Sequence, residues 1–276
     1  MSLLIIGGVT IDTLHLPGMA EPVTASGGAG MYTALAGVFA GTATTLFAQR
    51  PIPLPEILQP IADRLHWIGP EIPLSDLPRL EIAHYGGGKA NLLHAHWGAQ
   101  AQLTPDALPP ELSEYRFIHI AVMVSTDRQL AFLRACRAHS AALISAGTNG
   151  RTAHTETETV RELIRQTDMF FMNENEANAI FGSVDDARSE PGKLLFVTLG
   201  ERGAWVMDGK TRTHLAAPKI KELDSTGAGD SFCGATLAGL ARGLNPVTAA
   251  REGVLVASEM IRGVGPEKLL SKQVDQ

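Results

Sequence analysis

The most informative stretch of this chain is Asp224-Ser225-Thr226-Gly227-Ala228-Gly229-Asp230, followed directly by Ser231-Phe232-Cys233-Gly234-Ala235. Glycine and other small residues allow a tight turn, and the run from Gly229 to Arg242 predicts a long helix after it. The backbone N–H groups of Gly227, Ala228 and Gly229 can then point into one concavity, to which the helix dipole adds partial positive charge. We therefore expect an anion hole at the start of this helix.

Asp230 lies in the first turn of the predicted helix, at the mouth of the anion hole. The helix dipole favours the ionised form of its carboxylate. Such a carboxylate can accept the proton of a substrate hydroxyl, while the amides stabilise negative charge on a phosphoryl group in transfer. Acidic residues are also common in first turns for structural reasons, so the local pattern alone leaves a capping role open.

Two further motifs follow predicted strands. Asn173-Glu174-Asn175-Glu176 comes after the strand Met169 to Met172, at the end where α/β sheets place their sites. Acidic and amide groups there suit water-mediated binding of Mg²⁺ beside phosphates, although a polar helix start explains the tetrad equally well. Thr198-Leu199-Gly200-Glu201-Arg202-Gly203 ends another predicted strand in a glycine-containing turn, which a flat ligand or a phosphate can approach.

The order of apolar runs predicts an α/β fold. From about Val122 onward, predicted strands alternate with predicted helices, which is typical of a mostly parallel sheet with helices on both faces. The span from Leu80 to Leu103 alternates around three glycines and predicts a small β hairpin standing off the main sheet. The proline-rich segment from Pro51 to Pro78 predicts irregular surface chain around one short helix.

Composition limits the classes of function. The chain has 276 residues, of which 45% are hydrophobic, so disorder of the whole chain is excluded. The formal net charge of −6 argues against a general nucleic-acid or anionic-membrane surface. Cys136 and Cys233 are too few and too far apart for a disulfide framework. The apolar run Leu3 to Ile6 is too short for a signal peptide or a membrane span, and we expect a cytoplasmic protein.

In their order along the chain, these motifs resemble those of the ribokinase-like, or PfkB-type, carbohydrate kinases. The segment Asp224 to Asp230 is similar to the family signature D-T-x-G-A-G-D. Four other family motifs have counterparts here: the N-terminal substrate strand at Gly8 through Asp12, the di-glycine at Gly27-Gly28, N-x-x-E at Asn173 and Glu176, and T-L-G-x-x-G at Thr198, Gly200 and Gly203. The resemblance covers most of the chain.

The resemblance implies one ribokinase-like domain over residues 1–276. Its fold is a three-layer α/β sandwich with a mostly parallel central sheet and a small β lid, formed from about residues 10–25 and 80–103. It implies that Asp230 is the catalytic base and that Gly227, Ala228 and Gly229 form the anion hole. Further implied roles are acceptor binding by Asp12, Gly27, Gly28 and Tyr32, nucleotide binding by Asn173, Thr198, Gly200 and Gly203, and Mg²⁺ binding through water by Glu176.

A monovalent cation, K⁺, is also implied beside the anion hole. Asp224 and Thr226 match positions that contribute to its site, and the loop near Gly263 to Gly265 would complete it. The sequence departs from the family pattern at Ser225, where Thr is usual, and at Tyr32, where many members have an Asn that contacts substrate. The region after Gln49 also lacks an expected Asp-x-x-Gly pattern. These departures bear on the acceptor more than on phosphoryl transfer.

The sequence therefore predicts an ATP-dependent kinase that transfers the γ-phosphoryl group to a hydroxyl of a small polyhydroxy acceptor. A monosaccharide is favoured as the acceptor. A nucleoside, cyclitol or sugar-phosphate kinase of the same fold stays open, as does a non-catalytic sensor that binds a sugar or a nucleotide. The expected partners are ATP, Mg²⁺ and the acceptor, without nucleic acid or membrane, and a second copy of the chain through the lid.

Overall fold

The computed structural model describes residues 2–271. Within this range the strands are β1 (Ser2–Ile6), β2 (Thr10–His15), β3 (Val23–Gly27), β4 (Thr44–Phe47), β5 (Arg50–Ile52), β6 (His66–Ile68), β7 (Glu71–Pro73), β8 (Arg79–Gly86), β9 (Lys89–His96), β10 (Tyr115–Ile120), β11 (Leu143–Gly147), β12 (Met169–Asn173), β13 (Leu194–Thr198), β14 (Ala204–Asp208) and β15 (Thr211–Leu215).

The α-helices of the same range are α1 (Ala29–Phe39), α2 (Gln59–Ala62), α3 (Thr126–His139), α4 (Gly150–Thr155), α5 (Thr157–Gln166), α6 (Glu174–Phe181), α7 (Ala228–Ala241), α8 (Pro246–Met260) and α9 (Glu267–Ser271). Short 3₁₀ turns lie at Glu56–Leu58, Leu74–Asp76, Gly98–Gln102, Pro105–Ala107, Leu112–Glu114 and Gly200–Arg202. Over residues 2–271, no helix has both the length and the apolar composition needed to cross a lipid bilayer.

The central sheet confirms the predicted α/β fold. Its strand order is β15-β14-β13-β12-β11-β10-β1-β4-β6. All neighbouring strands from β13 to β6 are parallel, and the β14–β15 hairpin adds two antiparallel strands at one edge. Asn173 and Thr198 are register partners at the carboxyl ends of β12 and β13. The sheet therefore brings two of the predicted site residues side by side, at the edge where such sheets bind ligands.

Both faces of the sheet are buried. Leu3 and Ile5 of β1 belong to one apolar cluster together with Phe232 of α7. Leu4 and Ile6 belong to a second cluster together with Phe132 of α3. Successive residues of a strand point to opposite faces, so this division places α1, α7 and α8 on one side and α3, α5 and α6 on the other. The result is the predicted three-layer sandwich.

Helices α1 and α7 are in direct backbone contact. A Cβ atom at Gly234 of α7 would lie 2.0 Å from the carbonyl oxygen of Thr33 in α1, so only glycine fits there. This close approach holds the start of α7, and with it the predicted anion hole, against the α1 helix that carries Tyr32.

A second sheet stands off the sandwich, and we call it the small sheet. Its strand order is β3-β2-β8-β9, with the β8–β9 hairpin predicted from the glycine-centred alternation. Leu14, Ala25 and Ile82 of this sheet, with Leu16 just after β2, pack with Val264 of the loop after α8. That this sheet, with residues of about 10–25 and 80–103, acts as a lid remains a prediction.

The proline-rich segment is more regular than predicted. It contains the expected short helix α2, but also three strands of three residues each. Strand β6 extends the central sheet beside β4, and β5 pairs with β7. The prediction of irregular chain was wrong because such short strands form through pairing with distant segments, which leaves little periodicity in the sequence.

Candidate active site

The predicted anion-hole turn lies at the start of α7. Gly227 has φ = +76°, and the helix begins at the next residue, Ala228. A Cβ atom at Gly227 would lie 2.3 Å from the ring of Tyr32, which packs directly beneath the turn. The left-handed backbone and this close contact both require glycine. The turn is thus a rigid loop that rests on α1.

Hydrogen bonds within the turn engage two of its amides. The Thr226 N–H donates to Asp224 Oδ1 at 2.8 Å, and the Ala228 N–H donates to the Ser225 carbonyl at 3.1 Å. Of the three amides predicted to form the hole, that of Ala228 is therefore part of the turn itself. The amides of Gly227 and Gly229 are the ones that can point at a bound anion, since the first N–H groups of a helix have no intrahelical acceptor.

Asp230 is half-buried in the first turn of α7. Burial raises the pKa of its carboxyl to about 7, because the charged form loses contact with water. The sequence predicted that the helix dipole would favour the ionised form, but the loss of hydration outweighs it. A carboxylate with a pKa near 7 is well matched to taking a proton from a hydroxyl at neutral pH.

Asn173 and Glu176 form a reciprocal cap at the start of α6. Asn173 Oδ1 accepts the Glu176 N–H at 2.9 Å, and Glu176 Oε2 accepts the Asn173 N–H at 2.8 Å. Glu176 Oε1 also accepts a hydrogen from Asn173 Nδ2 at 2.8 Å. The capping role that the sequence left open is therefore present.

Burial raises the pKa of Glu176 to about 7, and the nearby negative charge of Asp230 contributes to the rise. Each carboxylate oxygen of Glu176 can accept a second hydrogen, which leaves room for a water molecule of a hydrated ion. Within residues 2–271, no cluster of three or more His, Cys, Asp or Glu side chains could hold a metal ion. The spare acceptor capacity of the Glu176 carboxylate is compatible with contact to Mg²⁺ through water, the mode this ion prefers beside phosphates.

The turn predicted to approach a nucleotide follows β13. Thr198 is the last residue of the strand, and the Leu199 N–H donates to the Gly203 carbonyl at 2.7 Å, which closes the turn around Gly200. Arg202 of this turn forms an ion pair with Glu174, the residue after Asn173. The two predicted nucleotide-side motifs are therefore neighbours in space.

Asp12 lies on the small sheet, opposite the glycine pair. Its Oδ2 atom is 1.9 Å from the position that a Cβ atom of Gly27 would take, and Gly28 follows directly as the residue before α1. Asp12 is 2% exposed, and its Oδ1 atom has no hydrogen-bond partner among residues 2–271. Burial raises the pKa of Asp12 to about 6, with a smaller rise from Asp224. A buried, unsatisfied acceptor is costly, and it suits a ligand hydroxyl.

Tyr32 is buried in α1 among three carboxylates. Loss of hydration and the charges of Asp224, Asp12 and Asp230 all raise the pKa of its phenol, which keeps it neutral. Its hydroxyl has no partner among the described residues, like Asp12 Oδ1. Tyr32 thus supports the glycine turn with its ring and turns an unsatisfied hydroxyl toward the acidic site, which is compatible with the predicted contact to the acceptor.

Asp224 and Thr226, predicted to contribute to a monovalent-cation site, bind hydrogen donors. Asp224 Oδ2 accepts the Gly265 N–H at 2.8 Å, in addition to the Thr226 N–H on Oδ1. His84 Nε2 lies 2.9 Å from Thr226 Oγ1 and 3.7 Å from Asp224 Oδ1. A K⁺ site needs several oxygen atoms aimed at one point. At Asp224 the loop at Gly265 instead presents an N–H group, which argues against a cation bound to this carboxylate.

His84 is the site-adjacent residue that the sequence analysis missed. It is 7% exposed and lies on the inner face of β8. The alternation of the predicted hairpin placed His84 on a strand face, but nothing local indicated that this face meets the Asp224–Gly227 turn. Thr226 of that turn is 142 residues from His84 in the chain.

Comparisons with known proteins find several similar chains. Residues 78–273 match the family described as pfkB family carbohydrate kinase. A cytidine kinase from Thermococcus kodakarensis is 29% identical over 274 residues, which cover 96% of this chain and 98% of the relative. A ribokinase from Lactococcus lactis is 26% identical and covers 62% of this chain and 56% of the relative. The structure of a Burkholderia thailandensis nucleoside kinase in complex with inosine has a TM-score of 0.80 at 19% identity, covering 96% of this chain and 93% of that one.

Proposed function

Because this chain belongs to the pfkB family of carbohydrate kinases, we propose that it transfers the γ-phosphoryl group of ATP to a hydroxyl of a small polyhydroxy acceptor. Members of this family are phosphotransferases that act on hydroxyl groups of sugars or nucleosides. The observation that supports the assignment most is Asp230, a half-buried carboxylate with a pKa of about 7 in the first turn of α7, beside the glycine amides.

In this mechanism Asp230 accepts the proton of the acceptor hydroxyl. The hydroxyl oxygen forms a bond to the γ-phosphorus as the bond from that phosphorus to the β,γ-bridging oxygen breaks, and ADP leaves with the electron pair. The amides of Gly227 and Gly229, together with the dipole of α7, stabilise the negative charge on the phosphoryl oxygens. These groups are already in place, so little reorganisation is needed when the charge develops.

Asn173 and Glu176 are the residues that would hold Mg²⁺ through water, and the ion would offset charge on the phosphates when bound. Thr198 and the turn from Gly200 to Gly203 would lie along the nucleotide, because the Arg202–Glu174 ion pair keeps this turn beside Asn173. Asp12, Gly27 and Gly28 would hold the acceptor hydroxyls, with Asp12 Oδ1 as a free acceptor of a hydrogen bond.

We favour a nucleoside as the acceptor. One relative that aligns over nearly the whole of both chains is a cytidine kinase. A ribose hydroxyl of a nucleoside presents the same chemistry to Asp230 as a free sugar does. A monosaccharide, which the sequence alone favoured, is the second candidate because the chain also matches a ribokinase over 62% of its length.

The small sheet would act as a lid over the acceptor, since Asp12 lies on β2 and is already shielded from water. A closed lid protects ATP from hydrolysis.

The same sheet would pair with a second copy of the chain through its exposed edge strand β9. A cytoplasmic location stays a prediction that fits two buried, free cysteines.

Coupled measurement of ADP release tests this function. Purified protein would be supplied with ATP and Mg²⁺ and one acceptor at a time: cytidine, inosine, guanosine, adenosine, ribose, fructose or inositol. We expect a nucleoside to raise ADP release about tenfold or more above the rate without acceptor. A higher kcat/KM for a free sugar would overturn the choice of acceptor, and binding without turnover would favour a sensor.

A further inference from the structure

His84 joins the small sheet to the turn that forms the anion hole. Its Nε2 atom is 2.9 Å from the hydroxyl oxygen of Thr226 and 3.7 Å from Oδ1 of Asp224. The His84 side chain is 3% exposed and that of Asp224 is fully buried. A second contact lies beside it, where the N–H of Gly88 in the β8–β9 turn donates to Glu222 at 3.0 Å.

The orientation of the ring follows from its surroundings. Nε2 faces a buried carboxylate oxygen and a hydroxyl oxygen. If Nε2 carries the proton, its N–H bond points toward both oxygens. The other nitrogen, Nδ1, is buried and has no hydrogen-bond partner among residues 2–271. In this tautomer the edge of the imidazole supplies partial positive charge at the place where the resemblance implied a cation.

Two backbone donors also bind the carboxylate of Asp224. Thr226 and Gly265 each give a backbone N–H to one of its oxygens at 2.8 Å. The Asp224–Gly265 bond directly joins the two loops between which a monovalent cation was expected. An ion placed there would face N–H groups, which repel it, in addition to the carboxylate.

We propose that His84 replaces a monovalent cation as the partner of Asp224 and Thr226, and that phosphoryl transfer by this chain is independent of K⁺. His84 is a positioning residue: it touches no reacting atom, and it holds Thr226, the residue before Gly227, in the geometry that the anion hole needs. The inference deepens the proposed function and rests on it for its kinetic consequences.

A thermal test separates this inference from the kinase assignment, because it needs no turnover. The melting temperature of the full chain would be measured in chlorides of K⁺, Na⁺ and tetramethylammonium at equal ionic strength. A cation present at a concentration of 100 times its Kd would raise Tm by about 5–10 °C in a protein of this size. We expect equal Tm values in the three salts. A rise specific to K⁺ would overturn the proposal even if no acceptor were found.

Kinetics of two variant pairs test the positioning role. We expect H84A to lose kcat by roughly tenfold or more, with KM for the acceptor little changed, because a misplaced anion hole weakens transition-state stabilisation. H84Q keeps an N–H donor at a similar reach and should recover most of kcat. T226V, which removes the hydroxyl, should resemble H84A, whereas T226S should resemble the wild type.

The matched control is H94A, on the exposed edge strand β9 of the same sheet. It should leave kcat unchanged. If H84A fails to fold, the T226V and T226S pair carries the test. Wild-type kcat in both H84A and T226V, or saturable activation of the wild type by K⁺, would overturn the proposal. If the Tm values are equal and no acceptor supports turnover, the proposed function fails while the assignment of His84 stands.

Discussion

At the scale of single residues, the loss of water governs the acid–base chemistry of the site. Asp12, Glu176 and Asp230 all have a pKa raised to between about 6 and about 7, and burial is the largest cause for each. Such groups are common at active sites, where a base must be able to exchange its proton near neutral pH. The cost is that each carboxylate destabilises the folded chain when it is charged.

The substitution Asp230→Asn should abolish activity and increase stability. A carboxyl whose folded pKa is raised stabilises the fold below its unfolded pKa near 4, and this contribution is lost as the pH rises to about 7. At pH 8 the amide removes that penalty, and we expect Tm to rise by roughly 2–4 °C, equivalent to about 1 kcal/mol. At pH 4 the difference should vanish.

Thermal melts from pH 4 to pH 8 and the ADP assay measure both effects. Glu111→Gln, at an exposed acidic residue, is the control and should change neither. A D230N protein with near wild-type turnover would contradict the role of Asp230 as the base, and a lower Tm at pH 8 would contradict the electrostatic account.

The pH profile gives a second prediction at this scale. The value of kcat/KM should rise with pH through an apparent pKa of about 7, as the base becomes ionised. Because the charges of Asp230 and Glu176 interact, the rise of kcat/KM with pH reports the titration of both carboxyls together. Glu176→Gln keeps a capping side chain but removes one negative charge. We expect the rise of kcat/KM to move to lower pH in this variant. An unchanged pH profile would show that the two groups do not interact, and a shift to higher pH would contradict repulsion between them.

At the scale of elements, the position of the site depends on how α7 contacts α1. The missing side chain at Gly234 lets the two backbones touch, and Tyr32 of α1 supports the turn at Gly227 from below. The anion hole is therefore built by one helix and held by another that lies about 200 residues earlier in the chain.

Gly234→Ala tests this contact. The added methyl group would lie 2.0 Å from the Thr33 carbonyl oxygen, so the helices must separate, at a cost of about 1–3 kcal/mol. We expect a lower Tm together with a lower kcat, because the start of α7 moves with the helix. Gly150→Ala is the matched control: it adds the same methyl group in α4, where nothing lies within 4 Å. Equal Tm values for the two variants would refute the packing argument.

At the scale of the whole molecule, the small sheet has an exposed apolar surface. Tyr85, Leu92 and Leu93 are 61%, 52% and 53% exposed, and Trp97 lies just beyond β9. Strand β9 is also an edge of its sheet, with unpaired backbone groups available to another chain. These features support the proposed pairing with a second copy of the chain.

Light scattering coupled to gel filtration tests this assembly. We expect a particle of about twice the 29.3 kDa chain mass for the wild type. The double substitution L92E/L93E should give a single chain, since it places charges on both faces of the edge strand. Leu255→Glu, at a residue of α8 that is 55% exposed, is the control and should leave the dimer intact. A wild-type monomer at micromolar concentration would contradict the proposal.

Much of the fold and part of the site could be predicted without coordinates. The central strands and helices follow from apolar runs of the right length, and the glycine turn before α7 follows from residues that are adjacent in sequence. The motifs beginning at Asn173 and Thr198 were expected at one edge of the sheet, because the carboxyl ends of parallel strands meet there. The short strands β5 to β7 were missed, since pairing with distant partners creates them.

Local geometry follows from residues that are neighbours in the chain: which segments extend, where glycine is required, and which carboxylate lies in the first turn of α7. Two properties of the site depend instead on the tertiary structure: the pKa of Asp230, which is near 7 rather than lowered, and the contact of His84 with Thr226. The physical reason is that hydration and long-range contacts depend on which distant segments cover a group, whereas turns and periodicity depend on neighbours along the chain.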